Sequence, residues 1–279
     1  DLSDPQTWDS LPEPVRGKWC EAVVAHPLAH RIVTQRGLMK LPAPTAAIAE
    51  EYNALAVLGE DADLHVLNNW KLFTRDEWSD FCRRTAEFVK ISDGDSVFEA
   101  GCGSGAFLDE LLRFSKVRVA GVDIAAELVR IAQQRVPGDF RVGDVQDLSF
   151  AASGSFDKVV SHGVFLYLPC LEAARRAAME MVRLTKPGGI VYIGLMNDPE
   201  RIRNSEAAAT PSGNNLIPRS FWLELAVNLG LEAKIVDQDA IYSKSAGYDG
   251  HARLRYSVLL RKSPVCESME QRIERTLKQ

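Results

Sequence analysis

The 279-residue chain lacks any apolar run approaching the length that spans a bilayer, which excludes a helical membrane protein. No charged start followed by an apolar core opens it, so no secretory signal is expected. Positive charge is short as well. There are 33 Lys and Arg against 38 Asp and Glu, a net charge of -5, and binding nucleic acid rests mainly on Lys and Arg neutralising phosphates. A nucleic-acid partner is therefore not expected. The five cysteines, Cys20, Cys82, Cys102, Cys170 and Cys266, form no CxxC pair and no zinc-like spacing. An odd, scattered set fits a reducing compartment, with the cytoplasm as the expected location. The sequence also lacks internal repeats, which excludes a solenoid.

What is present is an alternation. From about residue 91, short β-branched runs exchange with helical stretches, the pattern of a parallel sheet covered by helices. Strands are expected at Ser96 to Ala100, Val117 to Val122, Phe140 to Val142, Lys158 to Ser161 and Ile190 to Leu195. Helices are expected around Ala106 to Phe114, Ala125 to Arg135 and Leu171 to Leu184. Pro187 and the glycines of KPGG, residues 186 to 189, are read as the stop of that last helix and the turn into the fifth strand. A further helix lies between Pro218 and Gly230. Two closing strands, Leu231 to Val236 and Leu254 to Arg261, would form a hairpin around an irregular stretch holding Tyr242, Tyr248 and His251. Residues 1–69, punctuated by proline, read as a helical cap, 70–263 as the main domain and 264–279 as a polar tail.

The stretch VFEAGCGSGA, residues 97 to 106, ends a strand at a glycine turn and continues as a helix. Glycine lets a ligand approach the backbone closely and tolerates unusual dihedrals. Gly101, Gly103 and Gly105 read as GxGxG, but with Ala106 they also satisfy the looser dinucleotide form GxGxxA, so spacing alone leaves the ligand open. Glu99 before the turn, Asp123 at the end of the second strand and Asp144 beyond the third all fall at carboxyl ends of strands, on the edge where open sheets bind ligands.

With GVDIAAELVRIAQQR at 121 to 135, GDVQDL at 143 to 148, FDKVVSHGVFLYLP at 156 to 169 and LTKPGGIVYIG at 184 to 194, the chain resembles the class I, Rossmann-like S-adenosylmethionine-dependent methyltransferases. The resemblance covers about residues 70 to 262. It implies an α/β fold, a seven-stranded, mostly parallel, doubly wound sheet with an antiparallel last strand, and S-adenosylmethionine as cofactor. By position it implies that Gly101 to Gly105 contact the methionine part and that Asp123 binds the ribose hydroxyls, a carboxylate being able to accept from both. It further implies that Asp144 and Val145 hold the adenine, that Ile124 packs on its ring, and that Ser161 and His162 lie near the methionyl end. Glu99 would order the turn or reach the cofactor's polar groups through neighbouring backbone.

Methyl transfer gains much of its rate from alignment in a dry site, and a base is needed chiefly for hydroxyl or thiol acceptors. His162 is the candidate base, against the plainer reading of a histidine that only lines the pocket or bonds backbone. Trp70, in LNNWKLFTRDEW (67–78), would close over cofactor or acceptor, whereas Trp78 and Phe81 read as core. No metal is expected: Asn197 and Asp198 follow the fifth strand, but the fourth offers His162 in place of the aspartate a hard cation prefers. Cys170 after Pro169 reads as a helix-start residue. The expected activity is methyl transfer to the O, N or S of a small organic acceptor, by a monomer or homodimer. The alternatives are a protein or peptide side-chain methyltransferase and a cofactor-binding module without turnover.

Overall fold

The computed structural model describes residues 45–59, 61–203, 215–242 and 253–264. Along these residues run α1 (Thr45–Leu55), α2 (Leu64–Leu67), α3 (Arg75–Val89), β1 (Ser96–Ala100), α4 (Ala106–Phe114), β2 (Arg118–Asp123), α5 (Ala126–Arg135) and β3 (Asp139–Val142). There follow β4 (Phe156–His162), α6 (Leu171–Leu184), β5 (Thr185–Asn197), α7 (Pro199–Arg203), α8 (Arg219–Leu229), β6 (Glu232–Asp237), α9 (Gln238–Ile241) and β7 (Arg255–Arg261). The strands form one seven-stranded sheet in the order β3-β2-β1-β4-β5-β7-β6. β1 to β5 pair in parallel, while β7 enters antiparallel between β5 and β6. The expected sheet and its antiparallel closure are thus present.

Alternation along each strand feeds two cores, one per face. Phe98, Val159, Val191 and Val258 face one layer, where Ala173, Ala174, Ala177 and Ala178 of α6 and Trp222 of α8 pack. Val97, Val160 and Tyr192 face the other, beneath α3, α4 and α5. The alanine pairs bring α6 close to the sheet. α3 begins at a capping box in which Thr74 and Glu77 satisfy each other's backbone amides.

The fifth strand departs from expectation. Thr185 already pairs with Phe156, and the next register partner of Ile190 is Lys158, so KPGG is an irregularity inside β5 instead of a turn before it. The Gly188 amide donates to the carbonyl oxygens of Lys262 and Ser263, which ties this bulge to the end of β7. The stretch between β6 and β7 contains the short α9; Tyr248, His251 and the tail after Pro264 lie outside the described residues.

One polar tie spans the sheet's far edge. The Asp157 carboxylate accepts from the Ser96 amide at 2.9 Å, the Ser96 hydroxyl at 2.6 Å and the Lys186 ammonium at 2.8 Å. Partial burial alone would raise its pKa, but these donors outweigh it and bring the group down to about 2. A depressed carboxylate stabilises the fold above its unfolded value and loses that contribution as pH falls through the folded one. Asp157→Asn should therefore lower stability at pH 7 by about 1–2 kcal/mol, after allowance for solvent screening. The gap to the parent should close between pH 4 and pH 2 in urea unfolding; a gap that persists unchanged at pH 2 would contradict this assignment.

Candidate active site

The order of strands reverses between β1 and β4: the chain leaves β1 for β2 and β3 on one side, then returns to place β4 on the other. Open α/β sheets bind ligands at such a switch, outside the carboxyl ends of the strands. A cavity of about 200 Å³ lies there. Its walls come from the glycine turn after β1, the ends of β2 and β4, the loop after β3, the segment 163–168, α1 and the loop 68–70.

The turn is built by converging bonds. The Gly101 and Cys102 amides both donate to the Val122 carbonyl, at 2.8 and 3.0 Å, and the Gly103 amide donates to Asp123 Oδ2 at 2.7 Å. Asp123 Oδ1 accepts from the Ala125 amide at 2.8 Å, so one carboxylate fixes both the turn and the start of α5. Gly103 has φ +52, and a Cβ there would sit 2.4 Å from Asn68 Oδ1. Glycine is required for conformation and for space alike. Asn68 in turn accepts from the Ser104 amide at 2.7 Å and donates to the Cys102 carbonyl at 3.0 Å.

Of the residues expected at the site, Gly101, Gly103, Asp123, Ile124, Asp144, Val145, His162 and Trp70 line the cavity. Glu99, Gly105 and Ser161 do not. Gly105 begins α4 with φ +79, and a Cβ there would face Val136 and Ala132. Ser161 is fully buried and donates to the Ala100 carbonyl at 2.8 Å. Neighbours in a strand point to opposite faces, so Ser161 and His162 do not share a wall.

Glu99 is buried at 3% exposure behind the wall, where its Oε1 lies 2.9 Å from His162 Nδ1. Burial raises the Glu99 carboxyl above its usual value, and the bond from His162 only partly offsets this. The imidazole is boxed by Phe107, Tyr192 and Phe81, with ring centroids 4.4, 5.4 and 5.9 Å away. Glu99 Oε2 and His162 Nε2 are buried without a hydrogen-bond partner. Asp123 is also raised by burial, against the pull of its backbone donors. Asp144 accepts from the amide and side chain of Gln146, which in turn accepts from Arg176.

Sequence reading missed Asn68, Tyr52 and Arg255. Tyr52, on α1, donates to Tyr167 Oη at 3.2 Å, and the two rings, both lining the cavity, meet edge to face. Trp70 packs on Phe73, Trp78 and Phe81 while presenting one edge to the cavity near Gly163. Trp78, Phe81 and Tyr242 are core side chains. Asp198 is engaged by Arg219 at 2.7 Å and by Arg201, and among the described residues no group of acidic, His and Cys side chains could hold a metal ion.

Residues 98–193 match the family model described as a methyltransferase domain. This chain contains a class I S-adenosylmethionine-dependent methyltransferase domain. S-adenosylmethionine is accordingly the cofactor of the domain. Curated relatives include the ubiquinone biosynthesis O-methyltransferase of Xanthomonas oryzae pv. oryzae strain PXO99A, 31% identical over 158 residues, 53% of this chain and 60% of the relative. The enzyme of the same name from Chromobacterium violaceum is 32% identical over 149 residues, 52% of this chain and 56% of the relative. The match thus spans about three fifths of those relatives' length. A chain of the complex between the Haloferax volcanii Trm112 methyltransferase activator and a methyltransferase aligns with a TM-score of 0.57, at 20% identity, over 76% of this chain and 98% of that chain. This last likeness concerns the methyltransferase domain's fold alone. Among the described residues no helix is long and apolar enough to cross a membrane.

Proposed function

We propose that the protein transfers a methyl group to a hydroxyl of a small organic acceptor held in the cavity at the β1/β4 switch. The observation that carries the proposal is that the glycine turn, Asp123, Asp144 and the β4 end with His162 line a single cavity, roofed by aromatic side chains. The residues fit the cofactor: two glycines leave backbone uncovered, and the Asp123 carboxylate, with about four lone-pair sites, keeps acceptor capacity beyond its backbone donors. When bound, S-adenosylmethionine supplies a methyl group on a positively charged sulfur. Asp123 would hold its ribose hydroxyls, Asp144 and Val145 its adenine, Ile124 the face of that ring, and Gly101 and Gly103 its methionine part.

His162 would act as the base. With Glu99 ionised, the proton sits on Nδ1 and Nε2 is left to accept, the logic of any carboxylate-oriented imidazole. Buried polar atoms without partners cost stability. Their presence at both ends of this pair supports a catalytic reason for it. The O-methyltransferase names of the curated relatives support an oxygen acceptor, and Tyr52, Trp70 and Tyr167 would exclude water around it. A cytoplasmic enzyme is the corresponding expectation.

Incubation with methyl-labelled S-adenosylmethionine and a panel of phenols, catechols and aliphatic alcohols tests the reading. Label is expected in the small-molecule fraction. Label recovered only in added protein, or no label transfer at all, would contradict it.

A further inference from the structure

The cavity is acidic at one end and basic at the other. Asp123 and Asp144 lie beyond β2 and β3, whereas Arg255 opens β7 opposite Asn197 at the end of β5. In the strand order, β2 and β7 are four spacings apart, which is about 19 Å. Arg255 is the only Lys or Arg among the described residues lining the cavity. The neighbouring arginines are used up: Arg201 pairs with Asp237, and Arg219 pairs with both Asp198 and Asp237. Arg255 makes no comparable ion pair or hydrogen bond among the described residues, although it is half-buried.

A guanidinium left unpaired in a partly dry cavity favours an oxyanion, and its planar fork matches a carboxylate with two parallel bonds. One cation suits one negative charge. A phosphate dianion would face Asp123 and Asp144 with a single arginine to balance it. Apolar and aromatic side chains, Trp70, Tyr52, Tyr167 and Leu166, line the same cavity beside the polar Asn68, Asn69 and Gln146. We propose that the methyl acceptor is an organic carboxylic acid with an apolar or aromatic body, and that Arg255 holds its carboxylate at the β5/β7 end of the cavity. This rests on the methyltransferase reading above and adds the acceptor's chemical class to it.

The test uses the full chain saturated with S-adenosylhomocysteine, titrated calorimetrically with benzoate, benzamide and phenyl phosphate. Benzoate should bind at least about ten-fold more tightly than benzamide, an increment expected of one charge-assisted bidentate contact. R255Q should abolish that preference, R255K should keep part of it, and both should bind S-adenosylhomocysteine as the parent does. Equal binding of benzoate and benzamide, or a preference that survives R255Q, would overturn the proposal. So would tighter binding of phenyl phosphate than of benzoate. Loss of S-adenosylhomocysteine binding in R255Q would make Arg255 a cofactor anchor and overturn it too. Absence of S-adenosylhomocysteine binding by the parent chain is a separate outcome, and it would sink the methyltransferase reading itself.

Discussion

Asp123→Ala is expected to weaken S-adenosylhomocysteine binding by about 100-fold or more, the largest single effect at the cofactor end of the cavity. The carboxylate holds the Gly103 and Ala125 amides and lines the cavity between them. Alanine would leave two amides without acceptors, loosen the glycine turn and remove the acceptor proposed for two ribose hydroxyls. Hydrogen bonds to a charged group contribute about 1.5–3 kcal/mol each, and about 2.8 kcal/mol is 100-fold in affinity. Asp123→Asn, which keeps one acceptor oxygen and the shape, should lose less.

The variant also carries a pH signature. Burial raises the Asp123 carboxyl above its ordinary value, and donors on a ligand favour its ionised form. Affinity should therefore be full well above that raised value and fall as pH drops through it toward 3.8. Asp123→Asn should lack this limb. Calorimetric titration at a series of pH values checks both points, and an unchanged affinity in Asp123→Ala would remove Asp123 from the cofactor site.

The second large effect concerns Glu99 and His162. His162→Ala is expected to lower kcat by about 10²- to 10⁴-fold, the range of a lost general base. Its affinity for S-adenosylhomocysteine should stay within about three-fold of the parent, well under the 1.4 kcal/mol that separates decades. A merely structural pair would behave otherwise. Replacing both partners of a buried hydrogen bond by apolar side chains of similar shape can be nearly neutral or stabilising. The combined Glu99→Leu and His162→Leu variant should accordingly unfold at or above the parent's midpoint while turnover is lost. If turnover persists in His162→Ala, the histidine is a wall residue. If the double variant is strongly destabilised, the pair serves the fold.

Much of this architecture is legible in the chain because its signals are local. The bounds of β1 and α6 follow from a short run closed by the glycine turn and from a helical pattern that ends before Pro187. The glycine turn declares itself by composition. β5 is less legible at its start: Thr185 and Lys186 stand between a helix end and a proline, and only pairing with Phe156 makes them strand. Ser161 is a different case. The resemblance placed it with His162 near the methionyl end; alternation along β4 puts the two on opposite faces, and His162 is the one that lines the cavity.

Asn68, Tyr52 and Arg255 carry no local signal at all. Asn68 matters because the chain returns 36 residues later to place Ser104 against it, and Tyr52 because Tyr167 comes to meet it. Arg255 stands out only once its neighbours Arg201 and Arg219 are seen to be paired. Such contacts are long-range, and one sequence does not reveal which distant side chains will meet. The pairing of Glu99 with His162 belongs to the same class, since it depends on β1 and β4 lying side by side.

If the cavity at the β1/β4 switch is a cofactor site for S-adenosylmethionine, calorimetric titration of the purified chain with S-adenosylhomocysteine will show it. Saturable one-to-one binding is expected, abolished or weakened by about 100-fold in Asp123→Ala, with NADH giving no heat. Saturable binding of NADH, or no heat from S-adenosylhomocysteine at millimolar concentration, would contradict it.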